Sequence, residues 1–130
     1  MFKILRIVVF FSLLLSTLAA CGSGNEIKLD ASDNGSQVEL NVGKTLAISL
    51  EGNPTTGYTW EAADLDDQVL QQVGEPEFKP DSSAIGAGGV QILRFEVVNS
   101  GQTSLNLVYR RSWEVDMEPA ETFSVQVTVR

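Results

Sequence analysis

Thr55 and Thr56 sit side by side in the stretch Asn53-Pro54-Thr55-Thr56-Gly57-Tyr58, between two runs that read as β-strands. Each hydroxyl can donate and accept a hydrogen bond, and β-branching restricts each side chain at χ1. A hydroxyl becomes a nucleophile only beside a base, and the sequence contains no histidine. The sole cysteine, Cys21, lies near the N-terminus. Ser-His and Cys-His dyads and imidazole or thiolate metal sites are therefore outside the inventory, no metal or other cofactor is expected, and the chain does not read as an enzyme. The seventeen carboxylates could be scattered over any domain this acidic. What remains is presentation. Pro54 fixes its own φ near −65° and pushes Asn53 towards extended geometry, while Gly57 can adopt φ > 0. Such a loop holds hydroxyls and backbone amides in a fixed display, or serves only as a rigid turn.

Two further loops are unusual for plain connectors. Gly86-Ala87-Gly88-Gly89 has a nearly bare backbone, suited either to close approach by another chain or to simple flexibility. Arg111-Ser112-Trp113 places a tryptophan beside a cation in a loop. A loop tryptophan is a frequent interface anchor, unless it folds back into the core.

The elements that position these loops are short alternating strands. Val38, Leu40 and Val42 share one face of a strand over 37–42, and Leu46, Ile48 and Leu50 one face of the next. Extended structure resumes at Tyr58-Thr59-Trp60, with Trp60 in the core and Tyr58 on the same face at the rim. Residues 69–73 form a weaker strand, and the prolines flanking Phe78 suit an edge strand. Leu93, Phe95 and Val97 are in phase, whereas Val90 and Ile92 are not, which calls for a bulge or burial on both faces. Leu105, Leu107 and Tyr109 point inward, and Phe123 to Val129 alternates without interruption. The pattern predicts an all-β fold, an immunoglobulin-like antiparallel β-sandwich of seven to eight strands, over residues 36–130. With two strand regions between successive loops, all three loops fall at one end of the sandwich. An end that combines rigid, bare-backbone and aromatic-basic loops suits protein binding better than catalysis.

Residues 1–20 read as a signal peptide: Lys3 and Arg6 precede an apolar run from Ile7 to Leu15, interrupted only by Ser12. Leu18-Ala19-Ala20-Cys21 resembles a bacterial lipoprotein lipobox, in which Cys21 is diacylated and becomes the mature N-terminus. Ordinary secretory cleavage near Ala20 is the alternative. Residues 21–35, rich in Gly, Ser, Asn and Asp, read as a lipidated flexible tether, with Ile27-Lys28-Leu29 as a possible edge strand. Without Lys3 and Arg6, seven basic residues face seventeen acidic ones, a formal charge of −10. That balance excludes nucleic acid and electrostatic adhesion to anionic lipid, so membrane attachment rests on the acyl chains. The protein is expected across the inner membrane, lipid-anchored to the cell envelope.

In this order and spacing, on a sandwich of this size, the three loops resemble those of the chagasin-type inhibitors of papain-family cysteine proteases. Asn53-Pro54-Thr55-Thr56-Gly57-Tyr58 matches that family's signature at every position, and Gly86-Ala87-Gly88-Gly89 matches its Gly-x-Gly-Gly loop. Arg111-Ser112-Trp113 matches its Arg-Pro-Trp motif except at Ser112. The resemblance implies a monomeric, reversible inhibitor whose three loops wedge into the cleft of a cathepsin L-like protease. Thr55 and Thr56 would lie over the catalytic pair, the glycine loop along the non-primed subsites, and Arg111 with Trp113 on the primed side. Tyr58 and Trp60 would support the first loop. The competing reading is a non-inhibitory immunoglobulin-like binding or adhesion module of the envelope. If Cys21 carries lipid, Cys21→Ser moves the protein out of the membrane fraction; unchanged fractionation removes the lipobox reading.

Overall fold

A computed structural model describes residues 25–114 and 116–130. Among the described residues, nine strands form two facing sheets: β1 (Glu26–Asp30), β2 (Gln37–Leu40), β3 (Thr45–Gly52), β4 (Tyr58–Ala63), β5 (Leu70–Gln72), β6 (Glu77–Pro80), β7 (Gly89–Val97), β8 (Gly101–Arg111) and β9 (Glu121–Val129). One sheet has the order β1-β3-β7-β5, with β6 also paired to β7; the other has the order β2-β9-β8-β4. The β1–β3 and β2–β9 pairs at the edges are parallel, and all the other pairs are antiparallel. The expected antiparallel sandwich therefore carries one parallel edge strand on each sheet.

Alternation builds the core. Leu46, Ile48 and Leu50 from β3 and Leu93, Phe95 and Val97 from β7 meet Leu105 and Leu107 from β8 and Phe123, Val125 and Val127 from β9. Trp60 is buried with them, and its indole Nε1 donates to the Glu51 carbonyl at 2.9 Å. β7 resolves its mixed phase by burial on both faces: Ile92 is buried opposite Leu93, and pairing with β3 runs unbroken from Gly89 to Glu96, without a bulge.

Three expectations need correction. Residues 21–35 read as a tether with a possible edge strand at Ile27-Lys28-Leu29; that edge strand is present as β1, so the sandwich begins at Glu26 rather than at residue 36. Ile27 and Leu29 pack against the core as β1 pairs with β3. A 3₁₀ turn at Ala31–Asp33 follows, capped reciprocally by Asp30 and Asp33, and Gly35 N–H donates to the Ser124 carbonyl at 2.7 Å. Val42 is exposed rather than inward, because β2 ends at Leu40 and the chain turns through Gly43, at φ 96°. The weak strand expected over 69–73 is shorter, β5 covering only Leu70–Gln72, and Val73 beyond it is exposed. The expectations for residues 1–20 and for Cys21 lie outside the described residues.

β5 and β6 lie end to end against β7, the first opposite residues 95–97 and the second opposite 89–92. They act as one interrupted edge strand running in one direction. The β3–β4, β6–β7 and β8–β9 connections consequently share one end of the sandwich, as the strand parity requires. Gly89 fixes how closely β6 and β7 approach there: a Cβ at Gly89 would lie 2.2 Å from the Lys79 carbonyl oxygen. A Cβ at Gly88 would meet nothing nearer than 3.6 Å. Gly89→Ala should therefore cost about 3 kcal/mol of stability, whereas Gly88→Ala should change it by less than about 0.5 kcal/mol. Equal urea midpoints for the two variants would contradict this packing.

Candidate functional site

Asn53 organises the first loop. It adopts extended geometry (φ −141°, ψ 92°) and caps a single 3₁₀ turn, Pro54–Thr56, with Pro54 in the first turn, where a missing N–H costs nothing. Its Oδ1 accepts from Thr55 N–H at 3.1 Å and from Thr55 Oγ1 at 2.5 Å. Its carbonyl accepts from Thr56 N–H at 3.1 Å and from Thr56 Oγ1 at 2.6 Å. Gly57 closes the turn at φ 88°, in the left-handed region, and its N–H donates to the Pro54 carbonyl at 3.0 Å. Both threonines are exposed. Their hydroxyl protons are committed to Asn53, and Thr56 Oγ1 also accepts from Tyr58 N–H at 3.3 Å, which leaves Thr55 Oγ1 as the less engaged acceptor. The hydroxyls are thus fixed in place, but not as free donors.

The same asparagine joins the other loops. Its Nδ2 donates to the Gly86 carbonyl at 3.1 Å, linking the first loop to the second. Its backbone N–H donates to the Tyr109 hydroxyl at 2.9 Å, linking the first loop to β8. Tyr109 stacks on Tyr58 at 5.3 Å between centroids and meets Trp60 at 5.1 Å. Tyr58, Tyr109 and Trp60 thus form a column from the loops into the core, which agrees with a supporting role for Tyr58 and Trp60. Beneath it, Gln91, the one buried polar side chain among the described residues, accepts from Trp60 N–H at 3.2 Å and joins the two sheets under the first loop.

The glycine loop is ordered by its own bonds. Asp81 N–H donates to the Gly88 carbonyl at 3.0 Å, and Ala87 N–H to the Ala84 carbonyl at 3.2 Å. The fold has different uses for its glycines. Gly86 holds φ 81°, and Gly89, already in β7, is required by the approach of β6. Gly88 has ordinary space around it and no positive φ, so the fold itself does not demand a bare backbone at that residue.

The third loop turns at Arg111–Glu114, where Glu114 N–H donates to the Arg111 carbonyl at 3.0 Å. Arg111 Nε donates to the Thr56 carbonyl at 3.2 Å, Nη1 pairs with Glu114 Oε1 at 3.0 Å, and the guanidinium lies 4.5 Å from the centre of the Tyr58 ring. The hydrogen bond to Glu114 raises the basicity of this guanidinium above the ordinary arginine value. Ser112 is exposed, and Trp113 is 67 % exposed. Trp113 is therefore not folded into the core. Its ring edge lies against Gly57, where a Cβ would come within 2.5 Å of it.

All three motifs are brought together, with Asn53 bonding the first loop to the second and Arg111 the first to the third. The composite presents an edge rather than a cavity. A hollow of about 420 Å³ along the flank beside Ser49, Leu50 and Phe123 is lined by none of residues 53–58, 86–89 or 111–113, while an open hollow of about 290 Å³ between the first two loops is lined by Asn53, Gly88, Gly89 and Tyr109. Two supporting residues were missed in the sequence. Tyr109 continues the inward phase of Leu105 and Leu107, which disguises the use of its hydroxyl. Gln91 was the findable one, a polar residue in phase with Leu93, Phe95 and Val97.

Comparisons with known proteins bear on the family and the fold. Residues 39–127 match the model for chagasin family peptidase inhibitors (I42). Chagasin of Trypanosoma cruzi is 31 % identical over 102 residues, covering 75 % of this chain and 93 % of chagasin. The solved structure of the Leishmania mexicana protein ICP is 33 % identical, with a TM-score of 0.58 over 75 % of this chain and 90 % of that one. A crystal structure of a cysteine protease inhibitor from Entamoeba histolytica superposes with a TM-score of 0.70 over 81 % of this chain and 96 % of that one; at 22 % identity, it bears on the fold alone. With its three motifs in place on this fold and most of its length matched, the chain belongs to the chagasin family of peptidase inhibitors.

Proposed function

We propose that this chain inhibits papain-like cysteine proteases reversibly, by wedging the three loops at one end of its sandwich into the protease cleft. The observation that carries the reading is the cross-bonding of the loops through Asn53 and Arg111 into a single exposed edge. Side chains already held in place lose little entropy on docking, which favours tight binding. Thr55 and Thr56 lie at the centre of the edge and meet the catalytic residues of the protease. The backbone around Gly88 runs along the cleft as a substrate strand does, and a side chain there would hold the two chains apart. Trp113, largely exposed on the other side, packs against the primed side of the cleft.

Attachment through lipid on Cys21, on the outer face of an envelope membrane, is part of the same proposal. β1 begins at Glu26 opposite Thr45, at the end of β3 away from the first loop. A chain anchored just before β1 therefore directs its loops away from the bilayer. That orientation suits an inhibitor that meets proteases arriving from outside the membrane.

Titrating papain with the protein, while following hydrolysis of a small fluorogenic peptide, should give competitive inhibition, with the inhibitor recovered uncut. Thr55→Ala combined with Gly88→Glu should weaken inhibition by roughly a hundredfold or more, the scale of losing a central contact and adding a clash. Its thermal midpoint should stay near that of the parent, because both positions lie outside the core. Wild-type potency in this variant would rule out the wedge. Asn53→Ala should cost about 1 kcal/mol of stability as a lost cap and should also weaken inhibition, since it frees the first two loops from each other. Undiminished inhibition by Asn53→Ala would show that the bonds between the loops are dispensable.

A further inference from the structure

Ser112 stands where the Arg-Pro-Trp motif has proline, and the geometry of the turn shows what that proline would do. Arg111 to Glu114 is a four-residue turn closed by the Glu114 N–H to Arg111 carbonyl bond, so Ser112 is its second residue and Trp113 its third. The second position is where proline is favoured in such turns, because the ring presets φ before the turn forms. Here the two ends of the turn, Arg111 and Glu114, are joined by an ion pair at 3.0 Å, with side chains 37 % and 20 % exposed. The same guanidinium is held by the Thr56 carbonyl and the Tyr58 ring.

Building on the inhibitory function proposed above, we propose that Glu114 is a positioning residue for the third loop. Its ion pair with Arg111 clasps the turn that presents Trp113 and supplies the preorganisation that the absent proline would give. Glu114 then acts through Arg111 and the turn, not by touching the protease. Without the clasp, Ser112 and Trp113 sample other conformations in the free protein, and binding must order them again. Immobilising one such side chain changes affinity by roughly three- to tenfold.

Full-length protein labelled with 15N-tryptophan and held in detergent micelles gives an internal comparison. Trp60 is buried, with its indole N–H bonded to Glu51, while Trp113 reports the turn. In Glu114→Ala, the heteronuclear NOE of the Trp113 amide and indole should fall while the Trp60 signals stay unchanged, and the inhibition constant for papain should rise roughly three- to tenfold. Adding Ser112→Pro to Glu114→Ala should restore both the NOE and the inhibition constant. An unchanged Trp113 NOE in Glu114→Ala overturns the proposal. So does a proline that fails to restore the NOE, or that restores it without restoring inhibition, since the last result makes Glu114 a direct contact. If the wild-type protein does not inhibit papain, the proposed function fails on that assay, while the NOE comparison still decides whether the clasp exists.

Discussion

The end of the sandwich that carries the three motifs depends on one side chain and its own peptide groups. Asn53 takes part in six hydrogen bonds: two to its side-chain oxygen, two to its carbonyl, one from its side-chain nitrogen and one from its backbone N–H. Each contributes about 1 kcal/mol net at most in a half-exposed setting, so their sum is not the point. What matters is that the six bonds are spread over four partners, Thr55, Thr56, Gly86 and Tyr109. No partner can move without straining the others. Pro54 and Gly57 make that arrangement attainable, one by narrowing the backbone on entry and the other by permitting the left-handed exit at φ 88°.

Below Asn53 the constraint passes into the core. Tyr109 holds the Asn53 N–H with its hydroxyl and packs its ring between Tyr58 and Trp60. Trp60 is tied to β3 through Glu51 and to β7 through Gln91. The loops thus rest on a stack of aromatic rings and polar ties that crosses both sheets. A recognition edge of this kind needs no catalytic group; it needs its shape to exist before the partner arrives. Burial of Leu93, Phe95, Leu107 and Phe123 supplies the hydrophobic stabilisation, and the polar ties at the end direct it into one loop geometry.

The three loops share one end although the region 69–80 forms two strands rather than one. β5 and β6 are two segments of one edge course, both antiparallel to β7, so dividing them adds a strand without reversing the chain. Composition was a poorer guide at the N-terminal side. Residues 26–34 are polar enough to read as linker, yet β1 pairs with β3 along its length, Ile27 and Leu29 pack against the core and Glu26 pairs with Arg94, while Asp30 and Asp33 satisfy the exposed turn. Val42 misled in the opposite direction. It continues the alternation of Val38 and Leu40, but alternation cannot reveal where a partner strand stops.

The sequence by itself determined the all-β class, the inward faces of the long strands and the three motifs. These follow from near-neighbour chemistry: period-two burial, proline and glycine backbone limits, and the missing histidine. It also implied that the loops share an end, since that needs only chain reversals. Tertiary structure alone decided which glycines serve the fold. A Cβ at Gly89 would strike the Lys79 carbonyl of β6, whereas one at Gly88 would meet only ordinary contacts, although the two are adjacent and chemically identical. It alone showed that the threonine hydroxyls are spent on Asn53, that Tyr109 is a ligand of the first loop, and that Glu114 reaches Arg111. Gly89 and Tyr109 depend on how strands distant in the chain approach once the sheets have packed; the Asn53 and Glu114 contacts lie only two or three residues apart, and there the folded turn decides that the side chains meet.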